Sequence, residues 1–142
     1  MACWLMKTEP DDYSWDQLVA DKGTNWSGVR NHQAAANMKA MKKGDHVFFY
    51  RSVKDPAVMG IMKVAREAYP NPKEPDGPFV WVDVAPVEPL PEPVPLAAIK
   101  ADTRLHDLAL VRQSRLSVMP VGELHWQLIC ALGGKKTGRK KA

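Results

Sequence analysis

Three segments in the middle of the chain have the composition of β-strands that are apolar on both faces. They span residues 46–51, 58–67 and 78–87 and are rich in β-branched and aromatic side chains. In the first segment Phe48 and Phe49 must point to opposite faces, because the side chains of a strand alternate. Such a sheet has to be covered on both sides, or it has to curl into a barrel with helices outside it. The short connections favour antiparallel neighbours, and we expect the barrel.

Shorter predicted elements flank these strands. Ser14 and Gln17 have the spacing of a capping box, which predicts a helix that ends near residue 21. Gly60, inside a predicted strand, indicates a bulge or a close backbone approach. The other predicted elements are a strand at 3–8, a helix at 31–41 ended by Gly44, an extended proline-rich segment at 86–95, a helical turn at 96–101 and a strand at 115–118 stopped by Pro120. The last is a helix with Leu124, Leu128 and Leu132 on its apolar face and Trp126 and Ile129 alongside, ended by Gly133 and Gly134.

The length of 142 residues fits one domain with one core. We assign residues 1–134 to this domain and expect the basic tail, residues 135–142, to be disordered. No apolar run approaches the ~20 residues of a membrane span, and the N-terminus lacks the pattern of a signal peptide. Cys3 and Cys130 are expected to be buried thiols rather than a disulfide. Together these features predict a cytoplasmic protein that does not bind membranes.

Positive charge is unevenly distributed along the chain. The formal net charge is +4, but without the five bases of residues 135–142 the chain has 15 bases against 16 acids. Residues 30–66 carry eight bases and two acids, whereas residues 67–107 carry eight acids and three bases. A cationic face of the kind that binds phosphates fits this pattern, and so do ordinary solvated lysines.

The sequence lacks the familiar motifs of metal and cofactor sites. Its four histidines form no His-Glu-x-x-His motif and no i, i+4 pair, so we expect no metal. The stretch GGKKT at residues 133–137 lacks the first glycine and the Ser/Thr of a P-loop, and there is no Gly-x-Ser-x-Gly motif. We therefore expect no cofactor.

Residues 26–31, WSGVRN, place an aromatic ring and an amide on either side of a glycine. Trp26 and Asn31 are the residue types that hold an unstacked base, by stacking and by hydrogen bonding respectively. Gly28 between them allows a backbone to approach closely. The alternative is purely structural: Trp26 fills one end of the core and Asn31 caps a helix. The stretch by itself favours this second interpretation.

Two further groups of polar residues lie at strand ends. Lys7, Thr8 and Glu9 leave the first strand just before Pro10, so they can hydrogen-bond the edge of a base, form a solvated strand end, or activate a nucleophile. We rank these interpretations in that order. Arg115 and Ser117 can contact a phosphate or a base edge, or Arg115 can pair with one of the acids of residues 67–107.

Five blocks of the sequence resemble the EVE domain family. In chain order they are WLMKTEP at 4–10, WSGVRNHQA at 26–34, MKKGDHVFFY at 41–50, REAYP at 66–70 and RLSVMP at 115–120. They cover most of the chain up to residue 132. The resemblance implies an α+β, PUA-like fold, which is a small curled β-barrel of about five to six mostly antiparallel strands surrounded by short helices.

The resemblance also implies a function. It suggests a non-catalytic module that reads a modified base, such as a modified cytosine or adenine in DNA or RNA, in an aromatic pocket like that of the similar YTH domain. The implied base-binding residues are Trp26, Ser27, Gly28, Val29, Asn31, Lys7, Thr8, Glu9, Tyr50 and Ser117. The candidate phosphate-binding residues are Arg115 and four bases of the basic segment 30–66, namely Arg30, Lys42, Lys43 and Arg51.

Two alternatives to a base reader remain open. Lys7, Thr8 and Glu9 are similar to the Lys, Thr and Glu of amidohydrolases in the related ASCH family, which implies an enzyme acting on a modified base or nucleoside. General RNA binding through the basic tail is the other alternative.

Overall fold

The computed structural model describes residues 2–27 and 29–135, which form one six-stranded sheet with five short helices. The strands are β1 (Cys3–Thr8), β2 (Thr24–Trp26), β3 (His46–Arg51), β4 (Ala57–Pro70), β5 (Val80–Pro95) and β6 (Val118–Val121). The helices are α1 (Trp15–Asp21), α2 (His32–Ala40), α3 (Leu96–Ala101), α4 (Ala109–Arg112) and α5 (Glu123–Leu132), with a single 3-10 turn at Thr103–Leu105. The tail predicted to be disordered, residues 135–142, lies outside the described part except for Lys135, whose Nζ lies 3.2 Å from Glu88 Oε2.

The strands follow the order β2-β5-β4-β3-β1-β6, and among the described residues the β1–β3 pair alone is parallel. The α+β class and the six mostly antiparallel strands confirm the predicted fold. Four register shifts interrupt the pairing of β4 with β5, and shifts of this kind bend and twist a sheet. The sheet is nevertheless open and not a closed barrel, because the short edge strands β2 and β6 do not pair with each other in the described part of the chain.

Both faces of the sheet are covered, as the composition of the strands predicts. Phe48 and Phe49 are fully buried on opposite faces of β3. The Phe48 ring stacks on Trp126 of α5, with 3.7 Å between ring centroids. On the other face, the Phe49 ring meets Trp15 and Trp26 edge to face, at 5.5 and 5.9 Å. Helices and aromatic side chains from distant parts of the chain therefore close the core on each side.

Several predicted elements are confirmed. The bounds of β3 and α3 match the predicted ones, and residues 86–95 are extended as part of β5. The capping box also forms: Ser14 Oγ accepts from Gln17 N at 3.1 Å, and Gln17 Oε1 accepts from Ser14 N at 2.8 Å. These elements depend on local preferences, which the sequence states directly.

Other predictions are wrong in position. The strand predicted at 115–118 lies instead at Val118–Val121, with Pro120 inside it. Proline fits there because β6 is an edge strand, which leaves one side of its backbone without a partner. Helix α2 lies within one residue of its predicted bounds at each end, but Met41 and not Gly44 is its C-cap. The short strand β2, helix α4 and the parallel pairing of β1 were not predicted.

The apolar face of α5 agrees with the prediction at Trp126, Leu128 and Ile129 and differs at the ends of the helix. Leu124 is 66% exposed and Leu132 is 40% exposed, whereas Ile129 and Cys130 are fully buried. The helix therefore packs on the sheet through Trp126, Ile129 and Cys130. The stacking of Trp126 on Phe48 fixes which face of the helix is buried. Cys130 and the half-buried Cys3 are free thiols, and burial raises the pKa of both. No helix in the described ranges is long and apolar enough to cross a membrane.

A buried carboxylate joins the N-terminus to the turn before β3. Asp45 is 4% exposed and accepts three hydrogen bonds. Its Oδ2 accepts from the Trp4 indole at 3.0 Å and from Lys42 N at 3.0 Å, while its Oδ1 accepts from Ala2 N at 3.3 Å. A carboxylate offers acceptors alone, and all three of its partners are donors. Asp45 thus fixes the start of β1 beside the start of β3.

Replacing Asp45 by asparagine is expected to destabilise the fold. The introduced amide group places a donor where donors already converge, and a buried unsatisfied group costs about 1–3 kcal/mol. Chemical denaturation should show this loss for Asp45→Asn. The matched control is Asp76→Asn in an exposed loop, where a change within ~0.5 kcal/mol is expected. Equal midpoints for the two variants would contradict the assignment of Asp45 as a structural anchor.

Gly60 lies at a bulge, as predicted, and under the ring of an aromatic side chain. The β3–β4 register slips between Phe49, opposite Gly60, and Tyr50, opposite Val58. A Cβ on Gly60 would lie 2.6 Å from two ring carbons of Trp15. Because Trp15 also packs on Phe49, the ring cannot move away freely.

The variant Gly60→Ala is expected to lose about 1–3 kcal/mol of unfolding free energy, the usual cost of overpacking a core. Urea denaturation measures the loss. Gly122→Ala is the control, because the nearest atom to its Cβ would be 3.8 Å away, an ordinary contact. If the two variants have the same unfolding free energy, the Trp15 ring can move aside for the added Cβ without destabilising the fold, and the assigned close contact is wrong.

Candidate nucleic-acid interface

A cavity of about 990 Å³ opens where β1 and β3 end together. The parallel pairing places Thr8 opposite Arg51, and Ser52 N continues it by donating to Thr8 O at 2.9 Å. Both chains therefore leave the sheet at one edge. A turn at residues 9–13, in which Tyr13 N donates to Glu9 O at 3.0 Å, folds back over this edge. The cavity has the size of a small-ligand site.

Nine of the fifteen residues named above as candidates line this cavity. They are Lys7, Thr8, Glu9, Trp26, Ser27, Val29, Arg30, Arg115 and Ser117. The cavity is also lined by residues that the sequence did not single out, namely Asp12, Tyr13, Thr24, Asn25, Ser52, Val53 and Ser114. Of these seven residues, only Ser52 and Val53 had a signal in the sequence: they directly follow the predicted strand 46–51, which places them where that strand leaves the sheet. Gly28 lies outside the described residues.

Trp26 combines the two roles that the sequence left open. Its indole is only 6% exposed and meets the Phe49 ring edge to face, so the core fixes its orientation. The same residue lines the cavity, beside Ser27 and Val29. The cavity wall is thus an aromatic ring that is already ordered before any ligand arrives.

Asn31 has the structural role. Its side chain accepts from Ala34 N at 2.9 Å and caps α2. It lines a separate, smaller depression of about 270 Å³ rather than the cavity. The Asn31 side chain has this orientation because the first turn of α2 has free backbone N–H groups that need an acceptor.

Lys7 joins β1 to the segment that precedes β6. Its Nζ donates to Ser114 O at 2.9 Å, and its backbone N donates to Ser117 O at 2.9 Å. Burial lowers the pKa of Lys7. The ammonium also lies 5.8 Å from the ring centroid of Tyr50, which is 2% exposed and does not line the cavity. Tyr50 therefore supports Lys7 from within the core.

Three of the predicted phosphate-binding residues lie away from the cavity. Arg51 turns back on its own loop and donates to Asp55 O from Nε and Nη2, at 3.0 and 2.8 Å. Lys42 and Lys43 precede β3 at its opposite end, beside Asp45. The length of β3 separates that end from the cavity by about 17 Å, at ~3.3 Å per residue. Charge counting along the sequence placed Lys42 and Lys43 in one group with Arg30, but in the fold they lie at the opposite end of β3 from the cavity that Arg30 lines.

The two remaining arginines lie at the cavity. Arg30 pairs with Glu74, with 2.7 Å between Nη1 and Oε1. Arg115 is exposed and forms no ion pair with the residues that the structure describes, so the predicted alternative of a pair with residues 67–107 is not seen there. Both residues line the cavity and are exposed, so an anion in solution can reach them.

The cavity contains groups that can donate and accept protons. Within residues 2–27 and 29–135, Lys7, Thr8 and Glu9 form no hydrogen bonds between their side chains. In the same described ranges no group of three or more His, Cys, Asp or Glu side chains is arranged to hold a metal ion. The arrangement is one of separate polar groups around a space, suited to contacting several atoms of a ligand.

All three tyrosines are expected to ionise late in the native protein. Burial raises the pKa of Tyr13, Tyr50 and Tyr69 to about 12, and hydrogen bonds to Asp21 and Asp83 add to the effect at Tyr13 and Tyr69. The unfolded chain releases these protons near the ordinary value of 10, so it binds fewer protons above that pH. Stability should therefore fall as the pH rises from 10 towards 12.

Tyrosinate absorbance measured against pH checks this prediction, with the denatured chain as the reference. A native titration that coincides with the denatured one would show that these rings are not protected as described.

Comparison with known proteins gives consistent matches over nearly the whole chain. The sequence model of the EVE domain matches residues 2–132. Human thymocyte nuclear protein 1 is 32% identical, over 94% of this chain and 74% of the human protein. A solution structure of a protein from Rhodopseudomonas palustris is similar with a TM-score of 0.90 and 49% identity, covering 94% of each chain. The human THYN1 protein in complex with 5-methylcytosine-containing DNA is similar with a TM-score of 0.88 and 30% identity, over 96% of this chain and 99% of that one.

Proposed function

The chain belongs to the EVE domain family, and we propose that it is a non-catalytic DNA-binding module that takes one modified base into the cavity beside Trp26. The observation that supports this most is the fixed indole on the cavity wall, surrounded by polar groups. A structurally similar protein, human THYN1, has been crystallised with DNA that contains 5-methylcytosine. RNA with a modified base is the other polymer that the same cavity chemistry suits.

The chemistry of the lining favours a methylated cytosine as the base. Glu9 and Asp12 supply carboxylates, and a carboxylate accepts well from the exocyclic amine of cytosine. Val29 and Val53 supply apolar surface, which is what a methyl group on the base requires. An amine edge and a methyl edge together distinguish 5-methylcytosine from the unmodified base and from thymine.

The energy of the complex comes from several moderate terms. A base must leave the stack to enter the cavity, which costs a few kcal/mol. Stacking on one aromatic side chain returns ~1–3 kcal/mol. Phosphate contacts from Arg30 and Arg115 at the rim add an attraction that is independent of sequence and falls with salt. The module therefore needs both the wall and the rim to bind tightly.

Trp26→Leu is expected to weaken binding to DNA with a single 5-methylcytosine by roughly 5- to 150-fold, the worth of one stacking contact. Leucine keeps an apolar side chain against Phe49 and removes the aromatic plane. Fluorescence anisotropy at fixed salt measures the affinity, with the unmodified oligonucleotide in parallel. Trp81→Leu is the matched control, because Trp81 packs against Tyr69 and does not line the cavity.

Selective binding that Trp26→Leu removes and Trp81→Leu preserves would support the base-reading proposal. Equal, salt-sensitive binding to modified and unmodified DNA, unchanged in Trp26→Leu, would overturn it. Circular dichroism and a denaturation curve of each variant establish that both are folded.

An amidohydrolase-like activity is the second candidate, and the lowered pKa of Lys7 is the observation that favours it. A lysine with a lowered pKa is a better base and nucleophile near neutral pH. This activity predicts a change in product mass when the protein is incubated with modified nucleosides, lost in Lys7→Met and Glu9→Gln. An unchanged substrate after long incubation would exclude the reaction for that nucleoside.

A further inference from the structure

The loop between β4 and β5 touches the chain beside the cavity. Arg30 Nη1 lies 2.7 Å from Glu74 Oε1. The Arg30 guanidinium also lies 5.4 Å from the ring centroid of Phe79, and the His32 ring packs on the same phenyl at 5.2 Å between centroids. One residue of the cavity lining is therefore held by a loop that does not itself line the cavity.

The ion pair at this contact is weak enough to exchange. The Arg30 side chain is 60% exposed and that of Glu74 is 48% exposed. Exposed pairs of this kind contribute little, because water and salt screen them. A backbone phosphate carries the same single negative charge and can offer the guanidinium two oxygens, whereas Glu74 contacts it through one hydrogen bond.

The loop does not depend on the Glu74 carboxylate for its shape. Glu74 N donates to Asn71 O at 3.0 Å, and Gly77 N donates to Glu74 O at 2.9 Å. The Asn71 side chain, which is buried, accepts from Lys73 N at 2.8 Å. Backbone and asparagine contacts hold the turn, so the carboxylate of Glu74 can be changed without removing them.

We propose that Glu74 is an internal competitor for the phosphate-binding group of Arg30. This inference rests on the proposed function, because it requires nucleic acid to approach the cavity. In the free protein the Glu74 carboxylate pairs with the Arg30 guanidinium. A phosphate of the bound strand takes the place of this carboxylate. Phe79 stays against the guanidinium during the exchange and keeps it at the rim.

The competition acts on affinity for the backbone and not on recognition of the base. A phosphate contact carries no sequence information, so Glu74 lowers the affinity for modified and unmodified DNA by the same factor. Its effect is to restrain non-specific binding, which leaves a larger part of the total affinity to the contacts made inside the cavity.

A double-mutant cycle tests the proposal, with wild type, Glu74→Gln, Arg30→Ala and the double variant. Glu74→Gln should bind both modified and unmodified oligonucleotides roughly two- to fivefold more tightly at low salt, in proportion to the strength of an exposed pair. In the Arg30→Ala background the same change should have no effect beyond that of general charge. Asp76→Asn measures that general effect, because it removes one negative charge from the same loop, and Asp76 forms no ion pair with the described residues.

The outcomes separate this inference from the proposed function. A gain in Glu74→Gln that exceeds Asp76→Asn and disappears without Arg30 supports the competition. Equal gains in Glu74→Gln and Asp76→Asn, or a gain that persists without Arg30, would overturn it while selective, Trp26-dependent binding stands. If the wild-type protein binds no oligonucleotide, and Glu74→Gln binds none either, both proposals fail.

Discussion

The parallel pairing of β1 with β3 is the constraint on which the rest of the structure depends. Parallel strands need a crossover, and the chain between them provides one that contains α1, β2 and α2 and reaches the far edge of the sheet, where β2 pairs with β5. Asp45 fixes the two strand starts together, through Trp4 and Lys42. At the opposite edge both strand ends open into the cavity. The buried Asp45 carboxylate and the cavity therefore lie at opposite ends of the same pair of parallel strands.

The central position of β3 explains why the cavity wall is rigid. Phe49 is packed between Trp15, which limits the space above Gly60, and Trp26, which faces the cavity. A ring that is ordered by the core loses little further freedom when a ligand stacks on it, and this lowers the cost of binding. The packing that stabilises the fold thus also prepares the proposed site.

The sequence predicted those parts of the fold and site that local signals encode. The capping box at Ser14 and the β-branched run of β3 are local, and both are confirmed. The pairing of β1 with β3 joins residues about 40 positions apart by the register of Cys3 with His46, and no local pattern reports it. The five sequence blocks contain the nine candidate residues that line the cavity. Charge counting also named Lys42 and Arg51, but Lys42 lies at the opposite end of β3 and Arg51 donates to the carbonyl of Asp55. Asp12 was missed because a turn, and not a motif, brings it to the cavity.

Exposed groups of both signs line the cavity. Arg30 and Arg115 belong to the lining together with Glu9 and Asp12, and all four residues are exposed. The arginines attract the phosphates of any strand, because that attraction acts over about a Debye length. The carboxylates repel phosphates and accept from the amine edge of a base. In the proposed complex the strand would therefore place its backbone towards the two arginines and its extruded base towards Glu9 and Asp12.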